Sequence, residues 1–326
     1  MLNRMAAAAT ACAVLAAGAA AAPRKTFALW LGSRVFVTTN GKAWRNATPR
    51  EISPPTSIDN VAFEGARDGW LLASVCGANG FAYRTNDGGR TWTKHVVDFA
   101  HTCDAGSNFR LDALDARRAW VVRNEPVGSF ASLYRTTDGG RSWRLLDAGL
   151  PEIGAVTFVG NSRGWLAGGR LFHTVDGGRH WTHSPLPAPR GYRGRLLLLS
   201  NAHFFRRIGI VAGEYYGRHH VIGFYRTSDA GRSWHLLAKL AGSEPFIYPQ
   251  FTVSAVSATT VWLLTSGARP TANVTDDGGR HWTHHRLAEK LYAPTALSAT
   301  VAVASDFRGR PKITRDGGRT WRALKL

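Results

Sequence analysis

Cysteine, methionine and acidic side chains are scarce in this sequence. Its 326 residues include three cysteines, two methionines and 22 Asp plus Glu, against 41 Lys plus Arg. It contains no phosphate-binding loop, no Cys/His metal box and no C-x-x-C pair, and after the first residues no apolar run approaches about 18 residues. These absences argue against a nucleotide hydrolase, a zinc enzyme, a thiol redox enzyme and a protein with membrane-spanning helices. We therefore expect neither a cofactor nor a metal.

Residues 1–22 have the composition of a secretory signal peptide. Arg4 gives a positive start, an Ala/Val/Leu run follows, and small residues precede Pro23. We expect cleavage a residue or two before Pro23, a single domain over 23–326 and a periplasmic or secreted location. An uncleaved Ala-rich tail is the alternative.

The cysteines fit this expectation. Cys12 lies in the expected signal peptide, which leaves Cys76 and Cys103. An even number of cysteines in an exported chain favours a disulfide, although two buried reduced thiols also fit the sequence.

The net charge is +19 at pH 7, which draws a protein towards anionic surfaces. Nucleic acid is the usual partner of such a basic chain, but export removes that partner. An acidic protein, an acidic glycan or an anionic membrane surface remains, and a basic surface without a specific partner is the alternative. We expect a monomer.

The most informative pattern is a turn motif, T-x-D-G-G-x-[ST]-W. Six copies match it closely and a shortened copy, TTNGKAW, ends at Trp44; the aspartate and tryptophan pairs of the six are Asp87/Trp92, Asp138/Trp143, Asp176/Trp181, Asp229/Trp234, Asp277/Trp282 and Asp316/Trp321. Successive closing tryptophans lie 38 to 53 residues apart, about 46 on average, which is the spacing of propeller blades with four strands. The sequence predicts an all-β protein, a seven-bladed β-propeller of four-stranded antiparallel blades. Because the first copy lacks an obvious innermost strand, six blades are the alternative.

The residue types of the motif suit a tight turn that stabilises a blade. Glycine tolerates positive φ, the aspartate can accept backbone N–H bonds, and the threonine hydroxyl adds a local bond. We expect the closing tryptophan to begin the next strand, to pack between neighbouring sheets and to offer its indole N–H to a carbonyl. A second tryptophan position on an upstream strand predicts core residues: Trp30, Trp70, Trp120, Trp165 and Trp262, with Ile210 and a valine near Val301 in the remaining copies.

The motif resembles the Asp-box, or BNR, repeat of sialidase-type propellers. Together with the upstream G-W strand, it resembles the photosystem II assembly and stability factor family and its relatives in bacteria. The resemblance covers about residues 27–326 and implies a propeller that helps to assemble a protein partner. Asp-boxes occur in proteins with unrelated functions, so the resemblance is specific for the fold and weak for the activity.

We expect binding on the face opposite the motif turns, because the connections there vary in length and content. The richest connection runs from Gly213 to Gly223 and combines aromatic, arginine and histidine side chains, which are typical of interface anchors. A solvated hairpin without a ligand is the alternative. The candidate binding residues are Glu214, Tyr215, Tyr216, Arg218, His219, His220, Arg110 and Glu125.

Every full motif also carries an arginine after its second glycine position. On a ring these side chains form a circle, which predicts weak, salt-sensitive contact with an anionic membrane. A simple solubilising role is the alternative. The arginines are Arg90, Arg141, Arg179, Arg232, Arg280 and Arg319.

Two enzyme classes remain as alternatives to a non-catalytic binding module. A sialidase-like glycoside hydrolase needs an arginine trio and a tyrosine paired with a glutamate, and the sequence offers Arg110, Arg206, Arg207 and the pair Glu214–Tyr215. A two-carboxylate glycosidase needs facing acids near the axis; the candidates are Glu64, Asp112 and Asp115.

Overall fold

The computed structural model describes residues 25–75, 80–97, 108–124, 131–192, 194–217, 220–242 and 251–326. The expected signal peptide, Cys76, Cys103 and Glu125 lie outside these ranges, as do Arg218 and His219. Nothing helical occurs in the described ranges, so they offer no helix that is long and apolar enough to cross a bilayer.

Seven antiparallel sheets follow one another along the chain, and each is one blade. Blade 1 contains β1 (Phe27–Leu31), β2 (Arg34–Thr38) and β3 (Arg45–Asn46), and blade 2 contains β4 (Ser57–Glu64), β5 (Asp68–Ser74), β6 (Gly80–Thr85) and β7 (Thr93–Val97). Blade 3 contains β8 (Asn108–Ala113), β9 (Ala119–Asn124), β10 (Ala131–Thr136) and β11 (Arg144–Asp147). Blade 4 contains β12 (Ala155–Phe158), β13 (Gly164–Ala167), β14 (Leu171–Thr174) and β15 (Thr182–His183). Blade 5 contains β16 (Arg195–Leu199), β17 (His203–Phe205), β18 (Ile208–Tyr216), β19 (Val221–Thr227) and β20 (His235–Ala241). Blade 6 contains β21 (Phe251–Ala255), β22 (Val261–Thr265), β23 (Thr271–Thr275) and β24 (Thr283–Arg286). Blade 7 contains β25 (Leu291–Ala296), β26 (Ala302–Asp306), β27 (Pro311–Thr314) and β28 (Arg322–Ala323).

The seven sheets close into a ring. The first strands of neighbouring blades contact one another, β4 with β8, β8 with β12 and β21 with β25, while β1 contacts both β4 and β25. The prediction of a seven-bladed propeller is confirmed, and the six-bladed alternative is wrong. Blade 1 differs in having three strands within the described residues, and the register makes β1, β2 and β3 the counterparts of the second, third and fourth strands of the other blades.

The hydrophobic core consists of seven clusters of the described residues, and each cluster fills the seam between two neighbouring blades. The strands are therefore covered on both faces, and near-continuous runs such as that of β22 are buried throughout. The seam between blades 7 and 1 has the smallest cluster, with Leu29, Val303 and Ile313 as its buried members. Arg315 also donates across this seam to the carbonyl of Gly41, at 2.7 Å.

The motif turns, which we call box turns, join the third and fourth strands of each blade. In the six full copies the threonine hydroxyl donates to the aspartate Oδ1 at 2.6 to 2.9 Å, and the second glycine-position N–H donates to that hydroxyl at 2.9 to 3.0 Å. Both central positions have positive φ, and in blade 5 one of them is Ala230, with φ 61°. Because a turn of this shape favours glycine, the D-G-G sequence follows from the backbone geometry.

The upstream tryptophans are the most deeply buried side chains of the blades. Trp120 and Trp262 are fully buried, and Trp70 and Trp165 are 1% and 2% exposed. The assignment of Trp30 to this position was wrong. In blade 2, Trp70 lies opposite the residue that precedes the turn threonine, and in blade 1 the residue in that place is Ala28. In blade 7 the position is held by Val303, which confirms a valine there.

The closing tryptophans of the six full box turns lie at the same seams, but less deeply than the upstream ones. Each ring meets an aromatic ring of the core edge to face, with centroids 4.9 to 6.3 Å apart. Trp234 is 6% exposed and therefore buried. The half-buried ones are Trp92, Trp143, Trp181, Trp282 and Trp321.

Two expectations about the closing tryptophans need correction. In every full copy the fourth strand begins one residue after the tryptophan, as β7 begins at Thr93, so the ring belongs to the turn and not to the strand. The indole N–H of Trp92 donates to the carbonyl of Ala47 in blade 1 at 2.7 Å, but a bond to a neighbouring blade is not general. The indole N–H groups of Trp282 and Trp321 each donate to a glycine carbonyl of their own turn, at 3.2 Å. Among the described residues, Nε1 of Trp181 and Nε1 of Trp234 have no hydrogen-bond partner. Packing of the ring is therefore what these tryptophans share.

Replacing Asp138 with alanine should lower the free energy of unfolding by about 1 kcal/mol, as the loss of a helix cap does. Its carboxylate accepts hydrogen bonds from the hydroxyl of Thr136 at 2.8 Å and from the N–H and hydroxyl of Ser142 at 3.0 and 2.6 Å. Urea denaturation measures the change. The control is Asp276→Ala, at the exposed variable position of another box turn; an equal loss in both variants would contradict a stapling role for Asp138.

Candidate functional site

The ring has two faces with different connections. Box turns and the turns between first and second strands lie on one face, which we call the box face. The connections between second and third strands, and those between blades, lie on the other, which we call the variable face. The topology of the described strands therefore puts the hairpin between β18 and β19 on the variable face.

Within this hairpin, Glu214 and Tyr215 are buried, with 1% and 3% of their surface exposed. Both belong to β18, whose two faces are covered by neighbouring blades. The hydroxyl of Tyr215 lies 2.6 Å from that of Tyr225, which donates to the carbonyl of Pro187 at 2.8 Å. Burial raises the pKa of both phenols. These residues thus support the hairpin from inside.

Tyr216 is the exposed member of the set, with 53% of its surface accessible. Its ring packs edge to face on His220, with centroids 4.8 Å apart. The side chain of His220 is 5% exposed, and its Nδ1 lies 3.5 Å from Oε1 of Glu214. The buried pair therefore holds Tyr216 in place, and the structure brings three of the expected binding residues together.

Phe307 is a second exposed aromatic side chain on the variable face, and it was not predicted from the sequence. It lies between β26 and β27, is 70% exposed and has the guanidinium of Arg308 5.2 Å from its ring centroid. Asp306 fixes this connection by accepting the N–H groups of Arg308 and Arg310, each at 2.9 Å. An aromatic next to arginine in a variable connection was the signal that could have identified it.

Two carboxyl groups lie at the innermost strands. Burial raises the pKa of Asp112 to about 7, and the nearby charge of Glu64 adds to this, while a 2.6 Å hydrogen bond from the N–H of Phe158 opposes it. Partial desolvation also raises the pKa of Glu64, whose side chain is more exposed than that of Asp112. Glu64 borders a cavity of about 240 Å³ beside blade 1, which Lys25 also lines. Two of the three predicted acids therefore interact near the axis.

Asp115 has a different role. It accepts hydrogen bonds from the N–H groups of Arg117 and Arg118 at 2.9 and 2.8 Å and from the side chain of Arg118. These bonds lower the pKa of Asp115 although burial works in the opposite direction. It is a turn residue on the box face.

The residues considered for a sialidase-like site do not converge. Arg110 lies on β8 and is exposed, whereas Arg206 and Arg207 form the turn between β17 and β18 on the box face. Tyr215 is bonded to Tyr225 inside the hairpin. In the described part of the chain, no group of three His, Cys, Asp or Glu side chains could hold a metal ion.

The six arginines of the box turns are all exposed. Three of them turn back on their own turns: the guanidinium groups of Arg90, Arg179 and Arg280 donate to the aspartate carbonyls at 2.8, 2.9 and 3.3 Å. Turn geometry thus contributes to the recurrence of arginine here, and contact of this circle with a membrane stays a prediction.

Comparison with known proteins supports the assembly-factor resemblance. No family model matches the sequence. The photosystem II assembly lipoprotein Ycf48 of Synechococcus sp. (strain CC9902) is 31% identical over 141 residues, a stretch that covers 41% of this chain and 38% of that protein. The chain is similar to a photosystem II assembly factor. This confirms the predicted resemblance, and the matched stretch spans well under half the length of the relative.

Solved structures agree on the fold. A structure of YCF48 bound to D1 peptide superposes with a TM-score of 0.52 at 17% identity and covers 94% of this chain and 86% of that one. The BP39L lectin of Burkholderia pseudomallei superposes with a TM-score of 0.57 at 12% identity, over 92% and 94% of the two chains. At these identities the likeness concerns the propeller fold alone.

Proposed function

We propose that this chain is a non-catalytic, exported propeller that binds a protein through its variable face and assists the assembly of that protein. The stretch similar to the assembly lipoprotein Ycf48 supports the class of function. The existence of a complex between YCF48 and a D1 peptide supports a polypeptide as the kind of partner. The expected signal peptide in residues 1–22 and the lipoprotein relative support a periplasmic or secreted location.

One observation carries the choice of face. Of the large aromatic side chains in the described ranges, Tyr216 and Phe307 are the ones that are more than half exposed. Tyr216 ends β18 and Phe307 follows β26, so both lie at the variable face. The ladder between β16 and β18 places Arg195 opposite Tyr216, and Arg308 lies beside Phe307. Tyrosine and arginine are enriched among the residues that dominate binding energy at protein interfaces.

The support beneath Tyr216 suits a binding anchor. Tyr192 donates its hydroxyl to the carbonyl of Tyr215 at 3.0 Å, and the Tyr215–Tyr225 bond ties β18 to β19. Such packing limits the side-chain freedom that binding would otherwise remove, and a pre-organised anchor loses less entropy on binding.

Site-specific photocrosslinking in the native host tests this proposal. A benzophenone amino acid is placed at Tyr216, at Phe307 or, as a control, at Val175, which is 67% exposed on the box face. We expect one defined protein adduct from positions 216 and 307 and none from 175, and we expect Tyr216→Ala to weaken the adduct formed at 307. An adduct from 175 alone, or from none of the three, would overturn the proposed face.

Two further partners belong to the same proposal as alternatives. The net charge of +19 supports an acidic glycan as ligand of the variable face, and the exposed box-turn arginines support weak contact with an anionic membrane. A carbohydrate adduct in place of a protein adduct at position 216 would favour the glycan.

A further inference from the structure

A groove of about 300 Å³ lies on the box face at the seam between blades 4 and 5. Its polar lining comes from Arg163, Trp165, His173, His183, Ser184 and Arg232. The side chains of Val175 and Pro185 add an apolar wall. None of the described lining residues is acidic, so the groove presents cations and hydrogen-bond donors next to an apolar surface.

The groove exists because blade 4 departs from the pattern of its neighbours. The residue before the box-turn threonine is Arg84, Arg135 and Arg226 in blades 2, 3 and 5. Arg84 lies over Trp70, 5.3 Å from its ring centroid, and donates to the carbonyl of Ala116 in the next blade at 2.7 Å. Blade 4 has His173 at this position, and an imidazole is too short to span the seam.

The ring of Trp165 is also turned relative to its counterparts in blades 2 and 6. In blades 2 and 6, Nε1 of Trp70 and of Trp262 donates to a turn carbonyl of the next blade at 2.9 and 2.8 Å. In blade 4, Phe204 of the next blade stacks on Trp165 with centroids 3.9 Å apart. The Nε1 edge then faces the box turn of blade 5, and a Cβ at Gly231 would lie 2.6 Å from Nε1.

The turned ring leaves an indole donor without a partner at the groove. Trp165 is 2% exposed, and neither its Nε1 nor Nδ1 of His173 has a hydrogen-bond partner among the residues that the structure describes. Buried polar groups are nearly always satisfied in folded proteins. The indole N–H can only donate, so its place in the lining of this groove points to an acceptor that comes from outside the chain.

We propose that this groove binds a small organic acid, with its carboxylate between Arg163, Arg232 and the Trp165 N–H and its short apolar body against Val175. Guanidinium groups bind carboxylates through charge-assisted hydrogen bonds. The apolar wall favours an organic acid over an inorganic oxyanion. The site is on the face opposite Tyr216 and Phe307 and does not depend on the protein partner proposed above.

Indole N–H resonances in ¹H–¹⁵N NMR spectra test the proposal, with 3-methylbutanoate and benzoate as probes and their neutral amides and inorganic phosphate as comparisons. We expect saturable shifts of the resonance that is missing in Trp165→Phe, with amides and phosphate about tenfold weaker or more. Phosphate that binds more tightly than both acids, or the absence of a saturable shift with either acid, would overturn the assignment.

Three variants locate the effect. His173→Arg restores the residue of blades 2, 3 and 5, fills the groove and should abolish binding. Trp165→Phe keeps the stack on Phe204 and should weaken binding about tenfold, measured by calorimetric titration because this variant lacks the indole resonance. The control is Trp120→Phe: Trp120 also stacks on a phenylalanine, Phe158 at 4.0 Å, and its Nε1 also lacks a partner among the described residues, but it does not line the groove. Thermal unfolding without ligand confirms folding of each variant; binding unchanged in folded His173→Arg would contradict the site.

Discussion

Replacing Trp262 with alanine should lower the free energy of unfolding by about 3 to 5 kcal/mol, the usual loss for a large buried aromatic side chain. Trp262 is fully buried in the cluster between blades 6 and 7, its ring meets that of Trp321 with centroids 6.2 Å apart, and its Nε1 donates to the carbonyl of Ser298 at 2.8 Å. Alanine therefore leaves a cavity at a seam and an unpaired carbonyl. Chemical denaturation at neutral pH measures the change.

Two variants separate the contributions at this seam. Trp262→Phe keeps an aromatic ring and loses the hydrogen bond and some volume, so we expect about 1 to 2 kcal/mol. Trp321→Ala removes the half-buried partner from the box turn and should cost less than Trp262→Ala. A larger loss for Trp321→Ala would show that the turn tryptophans, and not the upstream ones, dominate the stability of the seams.

Asp112→Asn should stabilise the protein at pH 8 by about 2 to 4 kcal/mol, because one pKa unit corresponds to about 1.4 kcal/mol. Burial raises the pKa of Asp112 to about 7 in the folded protein. The folded state then holds a proton that the unfolded state releases, so stability falls as pH rises from about 4 to 7. Asparagine removes this loss and keeps an acceptor for the N–H of Phe158.

The test compares urea denaturation of wild type and Asp112→Asn at pH 4, 6 and 8. We expect similar stability at pH 4 and a growing advantage of the variant above it, and Glu64→Gln should act in the same direction. Glu64, Asp115, Lys25 and His203 are the other titratable groups of this region. An Asp112→Asn variant that is no more stable than wild type at pH 8 would contradict a neutral Asp112.

The aspartates of the box turns make the stability of the protein depend on pH in the opposite direction. Although burial opposes the shift, hydrogen bonds from Ser142 and Thr136 lower the pKa of Asp138 to about 2. Its contribution is complete above the pKa of the unfolded state and is lost as pH falls towards 2. Acid should therefore loosen the box turns while it relieves the repulsion between the inner carboxyl groups.

The repeated turn predicted the fold correctly because it determines geometry locally. Its glycines require positive φ, and its threonine and aspartate bond within the turn, so each copy forms without distant contacts. The spacing of the copies then indicates four strands a blade, and their number indicates seven blades. Trp30 was assigned wrongly because a tryptophan two residues from the correct position, Ala28, looks equivalent in the sequence. The strand register relative to the box-turn threonine determines which residue is equivalent.

The candidate sites were less predictable, because burial in a propeller depends on the neighbouring blade. Glu214 and Tyr215 have the residue types of a surface anchor, but β18 is covered on both sides, and only its end emerges at Tyr216. No local signal indicates that Asp112 is close to Glu64. The groove was predictable in part: His173 interrupts a series of arginines, although the turned ring of Trp165 depends on Phe204 in the next blade.

The joint between the last blade and the first is made by side chains and the Arg315 contact, not by a shared sheet, as far as the described residues extend. It also has the smallest buried cluster of the seven. Regions held by few buried apolar contacts open at the lowest free energy. Local opening, amide hydrogen exchange and protease cleavage should therefore begin at this joint while the other blades stay folded.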